Sequence, residues 1–304
     1  MAFTALDVKK LREMTGCGMM DCKKALTESA GDIEKAVEYL REKGLAAAAK
    51  KAGRIAAEGI VAAVTEGNVA VVIEVNAETD FVAKNDKFLN MVDSFAKTVI
   101  AQNPADTDAL LNCKAIGTDS TVEEVLREKI LTIGENMKIR RFVRYEGTTA
   151  TYIHAGGKIG VMVKFDTDLA ANPKFHEFSK DIAMQIAAAN PLYLDSSLVS
   201  SDVVAKEKEI LTAQIANDEK LKNKPAQVIE KMIEGKIGKY YKENCLLEQV
   251  FVKDPDTTIE HYLQATAKEL GGKIAILDFV RFEKGEGIEK KEDDFAAEVA
   301  SMTK

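Results

Sequence analysis

The sequence predicts a multidomain α+β protein, and three observations predict it. Apolar residues recur at helical three- and four-residue spacing through roughly the first 44 positions; β-branched runs take over from Ile55; and a strand, turn, strand, helix pattern begins again at Glu146. At about 100 to 200 residues per domain, 304 residues imply two or three units, each long enough for a core.

Thr4 and Asp7 form a Thr-x-x-Asp capping box before a helix whose Val8, Leu11 and Met14 share a face, and Gly16 and Gly18 end it. A second short helix runs from about Met19 to Ser29 and stops at Gly31. A third opens on Asp32 as N-cap, buries Ile33, Ala36, Val37 and Leu40, and is expected to finish at Gly44. The Ala-rich basic segment Leu45 to Arg54 has helix propensity but few large side chains to bury, so it reads as a connector.

From Gly59 to Thr65, across Glu66-Gly67-Asn68, and from Val69 to Val75, the pattern is a hairpin. Next comes a helix with Phe88, Val92, Phe95 and Val99 on one face, a loop around Asn103-Pro104, a helix from Thr121 to about Gly134 and a strand from Lys138 to Tyr145. Then the chain echoes itself. Glu58-Gly59 and Val69-Ala70-Val71-Val72-Ile73 correspond to Glu146-Gly147 and Ile159-Gly160-Val161-Met162-Val163, and a helix from Pro173 to Ala189 again follows. A second echo sets Phe142-Val143-Arg144-Tyr145-Glu146 against Phe279-Val280-Arg281-Phe282-Glu283. Two related units, each a sheet with helices on one face, account for the first echo, and the second suggests a comparable edge role for the late strand.

Ser201 to Glu234 is charge-rich with narrow apolar stripes, Val204, Leu211 and Ile215, then Val228, Ile229, Met232 and Ile233. Pro225 suits the first turn of a returning helix. The segment predicts a projecting antiparallel helical hairpin with surface left for another chain, hence a possible route to higher-order assembly. Phe295, Val299 and Met302 predict an amphipathic helix over 288–302. The expected partition is a three-helix unit with its connector at 1–54, core units at 55–146 and at 147–195 with 236–266, the hairpin at 196–235 and a C-terminal helical module at 267–304.

Composition excludes several function classes. With 46% apolar residues and a net charge of −7, the chain reads as folded, and bulk charge gives no reason to expect nucleic acid as a direct partner. Cys17, Cys22, Cys113 and Cys245 are too few and scattered for a disulfide framework or zinc site, which suits a reducing compartment. No basic stretch precedes an apolar core at the N-terminus, and no run reaches the roughly 18 apolar residues of a membrane span, so a cytoplasmic protein is expected.

Catalytic constellations do not emerge, and no enzyme, cofactor or metal is expected. His154, His176 and His261 are dispersed and lie in no nucleophile motif. Ala155-Gly156-Gly157-Lys158-Ile159 resembles a phosphate loop, but Thr151 stands where its first glycine belongs and Ile159 where a hydroxyl must meet magnesium. Gly285-Glu286-Gly287 lacks the third glycine of a dinucleotide fingerprint. Arg140, Arg141 and Arg144, and Lys50, Lys51 and Arg54, read as charges on solvated faces, since no aromatic stacking motif accompanies them.

One segment admits two readings. In a continuous helix Phe81 would lie seven residues before Phe88 on the same face, and periodicity favours a buried aromatic. A fresh helix start capped by Asn85 or Asp86 would instead leave Asp80 and Phe81 on a protruding turn, an apolar wedge beside a carboxylate. Met19 and Met20, about 100° apart on a helix, cannot both be core, so one is expected to face out as an adaptable contact.

Four stretches carry a family resemblance over nearly the whole chain. They are Leu11-Arg12-Glu13-x-Thr15-Gly16-x-Gly18-Met19-Met20-Asp21-Cys22-Lys23-Lys24-Ala25-Leu26; Thr79-Asp80-Phe81-Val82-Ala83-Lys84; Ile133-Gly134-Glu135-Asn136 with Arg140-Arg141; and Gly285-Glu286-Gly287-Ile288-Glu289-Lys290. With these the chain resembles the bacterial elongation factor Ts family, the guanine-nucleotide exchange factors of elongation factor Tu. Asn85 stands where Asp is also familiar, and Cys17 where a small Ala is.

The resemblance implies a ubiquitin-associated-like three-helix domain, two related α+β core subdomains, an inserted hairpin and a C-terminal module. It implies elongation factor Tu, GDP-bound and nucleotide-free, as partner. It also implies that Asp80 and Phe81, with Thr79 and Lys84 in the same motif, press into the partner's nucleotide domain near its magnesium site. Arg12, Met19 and Met20 would hold another face of that domain, and His154 a second domain.

Overall fold

The computed structural model describes residues 3–289 apart from 219, 222 and 223. Three helices come first: α1 (Ala5–Thr15), α2 (Met19–Glu28) and α3 (Ile33–Lys51). Thr4 and Asp7 close the capping box, and Gly16 ends α1 at φ 66, a left-handed turn that glycine adopts without strain. Val8, Leu11, Cys22, Ala25, Leu26, Ala36 and Leu40 bury one another. The third helix corrects the expected stop at Gly44: it runs on to Lys51, so the connector is its last two turns. A mid-helix glycine costs only about 1 kcal/mol, which the following alanines offset by propensity.

The first core unit contains β1 (Glu58–Glu66), β2 (Val69–Ala77), α4 (Asp80–Ala83), α5 (Asp86–Gln102), α6 (Thr107–Asn112), α7 (Val122–Ile133) and β3 (Met137–Glu146). The short α6, capped by Asp106, lies in a stretch expected only as a loop. The second unit contains β4 (Thr148–His154), β5 (Ile159–Thr167) and α8 (Pro173–Ala189), then the hairpin helices α9 (Ser201–Asn217) and α10 (Ala226–Asn244). A small ribbon of β6 (Val250–Phe251) and β7 (Asp254–Thr258) follows, then α11 (Ile259–Leu270) and β8 (Ile274–Glu283).

The two sheets repeat one another. Their orders are β1-β2-β3 and β4-β5-β8, all pairs antiparallel. Ile73 pairs with Phe142 and Val163 with Phe279, and the register slips at Glu74/Val75 in one sheet and at Lys164/Phe165 in the other. The sequence echo is thus a structural repeat down to the bulge. Each sheet packs helices on one face, with Val71, Ile73 and Val75 against Phe88 and Phe95, and Val161, Val163 and Phe165 against Phe178 and Ile182. The opposite faces meet each other: Val61, Ala70 and Val72 pack against Met162 and Phe282. That sheet-on-sheet contact was not foreseen, and it explains why β2 is buried along almost its whole length.

Other differences concern boundaries. Residues 235 and 236 lie inside the unbroken α10, whose N-cap is Pro225, and the hairpin buries Leu211, Ile215 and Ile237. Within 267–304, expected as a separate C-terminal helical module, residues 274–283 form the late strand that the second echo suggested, and it completes the second sheet at its edge. The helix expected over 288–302 falls, from residue 290 onward, outside the described residues. No helix among the described residues is long and apolar enough to cross a membrane.

Candidate functional site

The helix does not run through from Phe81 to Phe88. Thr79 caps the single turn of α4, its hydroxyl accepting from Val82 N–H, and Asn85, at φ −79 and ψ 128, restarts the chain as N-cap of α5. The break decides between the two readings of Phe81. Phe88 goes into the core, Val82 is buried beneath the turn, and Phe81 stands 82% exposed. Periodicity favoured burial because it could not see the cap.

The turn is held at its head by one residue, Glu135, which lies 57 positions from Glu78 and 56 from Thr79. Glu135 Oε2 accepts from the backbone N–H of Glu78 (3.1 Å) and of Thr79 (3.0 Å), and its Oε1 accepts from the Thr79 hydroxyl at 2.6 Å. Glu78 returns the connection: its carboxylate accepts from Asn136 N–H and from Arg54 (3.4 Å), while the Asn136 amide donates to Arg54 carbonyl at 2.7 Å. Carboxylates at amide groups opening a helical turn are charge-assisted bonds, roughly twice as strong as neutral ones. Sequence reasoning noted the Gly134-Glu135-Asn136 stretch without assigning it this supporting part.

Beside Phe81, Asp80 Oδ2 lies 2.7 Å from Lys84 Nζ on the outside of the turn. That ammonium, with further help from Lys284, holds the Asp80 carboxyl below its ordinary range. The surface therefore presents an apolar ring next to an ionised carboxylate whose partner cation is itself exposed.

A second surface gathers residues from two helices. Arg12, Met19 and Met20 line one open groove with Phe3, Val8 and Lys23. At least one methionine was expected to face out, and both do: Met19 is 58% and Met20 74% exposed. Their helix buries Cys22, Ala25 and Leu26, and both methionines precede that stripe. Burial pushes the Cys17 and Cys22 thiols up, so both stay protonated near neutrality.

His154 is apart from both. It ends β4 at an exposed hairpin tip, its Nδ1 3.1 Å from the Tyr152 hydroxyl. His176 lies on α8, and His261 is beside Thr257 at 2.9 Å, so the three imidazoles do not converge. Among the described residues there is no group of three or more His, Cys, Asp and Glu side chains that could hold a metal.

The arginines expected on solvated faces are instead engaged. Arg140 and Arg141 bind Glu74, which is fully buried, at 3.0 and 2.7 Å. Arg144 pairs with Glu146 at 3.3 Å, and Lys51 Nζ donates to the Ile130 carbonyl at 3.1 Å. A single glutamate in the apolar run Val71 to Val75 was the signal in the sequence for that buried pair.

Comparison with known proteins bears on the whole chain. The family described as "Elongation factor TS" matches residues 78–286, which include the Thr79–Lys84 turn, His154 and the Glu74 partners Arg140, Arg141 and Gly285. A protein named "Elongation factor Ts" from Syntrophotalea carbinolica is 50% identical over 307 residues, covering 100% of both chains. Proteins of the same name from Clostridium kluyveri and Clostridium perfringens are each 53% identical, covering 97% and 98% of both chains respectively. Those full-length similarities extend through the helical head that carries Arg12, Met19 and Met20.

Proposed function

The chain belongs to the elongation factor Ts family of translation elongation factors, and from that premise we propose that it is a guanine-nucleotide exchange factor promoting GDP release from elongation factor Tu. The observation that carries this reading is Phe81, a large apolar side chain held in solvent on a turn that Glu135 ties at its head and buried Val82 anchors from beneath. A wedge ordered before binding loses little entropy on binding, so more of its contact energy goes into distorting the partner.

The mechanism is linkage. An exchange factor must bind the nucleotide-free partner better than the GDP-bound one, and each ~1.4 kcal/mol of that preference weakens GDP tenfold. Equal affinity for both forms would shift nothing, however tight. Phe81 supplies the apolar insertion near the partner's magnesium site, and Asp80 the polar rearrangement beside it. Magnesium neutralises phosphate charge in such sites, so displacing the residues that support it costs the nucleotide several contacts at once.

Arg12, Met19 and Met20, on the ubiquitin-associated-like head, supply binding energy that offsets this distortion, and His154 touches a second domain of the partner. Methionines suit such a contact, being flexible and polarisable. Nothing is bonded or cleaved on this chain, so it acts as a binding protein without cofactor, metal or catalytic residue, in the cytoplasm with the translation machinery. The α9–α10 hairpin is left as a surface for assembly between complexes. Titration into elongation factor Tu loaded with fluorescent GDP tests the reading: release should accelerate with added chain, and a rate equal to spontaneous release overturns it.

A further inference from the structure

Glu74 lies on β2, five residues before Thr79 at the start of the wedge turn. Its side chain is 0% exposed, yet it is ionic. Oε1 accepts from Gly285 N–H (2.8 Å), Arg140 (3.0 Å) and Asn76 (3.1 Å), and Oε2 from Arg141 Nε (2.7 Å). Arg140 also donates to the Glu286 carbonyl, and Arg141 to the Glu283 carbonyl (3.2 Å) and the Glu286 carboxylate (3.0 Å), with its guanidinium 4.2 Å above the Phe282 ring. One carboxylate thus binds β2 and β3 of the first sheet to the segment leaving β8 of the second.

That segment also reaches the His154 hairpin. Glu283 is the register partner of Ile159, and Lys284 N–H donates to the Lys158 carbonyl at 2.8 Å, four residues past His154. In the other direction, Glu74 precedes Thr79, the cap of the wedge turn just past β2, by five residues. Lys284 pairs with Glu58 at the start of β1, and its charge is felt by Asp80. Gly285 is required at this crossing: at φ 69, a Cβ on it would lie 2.2 Å from the Ala57 carbonyl oxygen. The equivalent place in the repeat holds Lys164 opposite Asp278, so this latch belongs to the first unit alone.

Burying an ionised carboxylate is costly, and apolar packing in its place is often as stable. A buried charge with four donors therefore points to geometry rather than to stability. We infer that Glu74 is a positioning residue for nucleotide exchange: its carboxylate fixes one sheet against the other, so that the Phe81 turn and the His154 hairpin meet a single partner at a set separation. The inference rests on the exchange reading and deepens it, since two linked contacts reinforce each other only when the link holds them where both can engage.

The test is a double-mutant cycle between Glu74→Gln and His154→Ala in the full chain, read as KM and kcat of stimulated GDP release. Glu74→Gln is expected to raise KM about tenfold and leave kcat within about twofold, because the wedge itself is untouched. His154→Ala is expected to raise KM several-fold in the parent chain and less than about twofold in the Glu74→Gln background, since a misplaced hairpin has little left to lose. Additive effects, an unchanged KM on Glu74→Gln, or no effect of His154→Ala in the parent would overturn the inference. A role confined to stability predicts additivity. Should no stimulated release be seen at all, the same cycle read by calorimetry against nucleotide-free elongation factor Tu decides the latch separately from the exchange reading. Arg140→Lys, which keeps the charge and loses the fork joining Glu74 to Glu286, replaces Glu74→Gln if that variant does not fold, with the same outcomes.

Discussion

The Thr79 hydroxyl lies 2.6 Å from Oε1 of Glu135, and the same carboxylate takes the backbone N–H of Thr79 on its other oxygen. One acidic side chain just past the Gly134 cap of α7 thus closes the head of the turn that carries Phe81. A four-residue helix is too short to hold itself, because nucleation is not repaid by later hydrogen bonds. Its order comes from Glu135 above the cap and from Val82 buried below.

Glu135→Ala should therefore release the turn while the sheets stay folded. Loss of charge-assisted bonds predicts a fall of about 1 to 3 kcal/mol in unfolding free energy, measured by denaturant titration. Amide exchange at Thr79 to Lys84 should speed up, with no change in β2. GDP release should slow although Phe81 is still present, and an unaltered rate would show that the wedge needs no support.

Glu74 sets a pH dependence. Burial raises its pKa, but the Gly285 N–H, Asn76, Arg140 and Arg141 together outweigh burial and leave it below the ordinary glutamate range. A carboxyl depressed in the folded state contributes stability above its unfolded pKa and loses it as pH falls through the folded one. Thermal midpoints should thus decline as pH drops below about 4.5, and the slope in that window should be shallower in Glu74→Gln. Identical slopes would remove Glu74 from the acid transition.

The thiols should be quiet in the native chain. Burial pushes up Cys17 and Cys22, and burial with the nearby acids Glu248 and Asp195 pushes Cys245 up to about 11. Since the thiolate is the reactive form, these three should label with a thiol reagent at neutral pH only after denaturant is added. Rapid labelling of Cys17 or Cys22 in the folded chain would mean the helical head opens.

Much of this fold was legible because it is written in local pattern. The Thr4 capping box, the Phe88 to Val99 stripe, and the matching of Phe142–Glu146 to Phe279–Glu283 all rest on spacing within a few residues or on repetition. What was not legible depends on meetings between distant segments. Packing of Val72 against Met162, and Arg140 and Arg141 turning inward to Glu74, are tertiary choices that periodicity does not encode. The site followed the same division. Asp80 and Phe81 could be singled out from sequence, but whether the ring faced in or out hinged on the Asn85 cap, and the part of Glu135 on a contact 56 residues away.

The most direct measurement is GDP release from elongation factor Tu stimulated by Phe81→Ala. An exposed side chain contributes little to stability, so the variant should unfold within about 0.5 kcal/mol of the parent. With folding unchanged, most of the stimulated release should be lost at saturating factor. Release at the parent rate from a folded Phe81→Ala chain would contradict it.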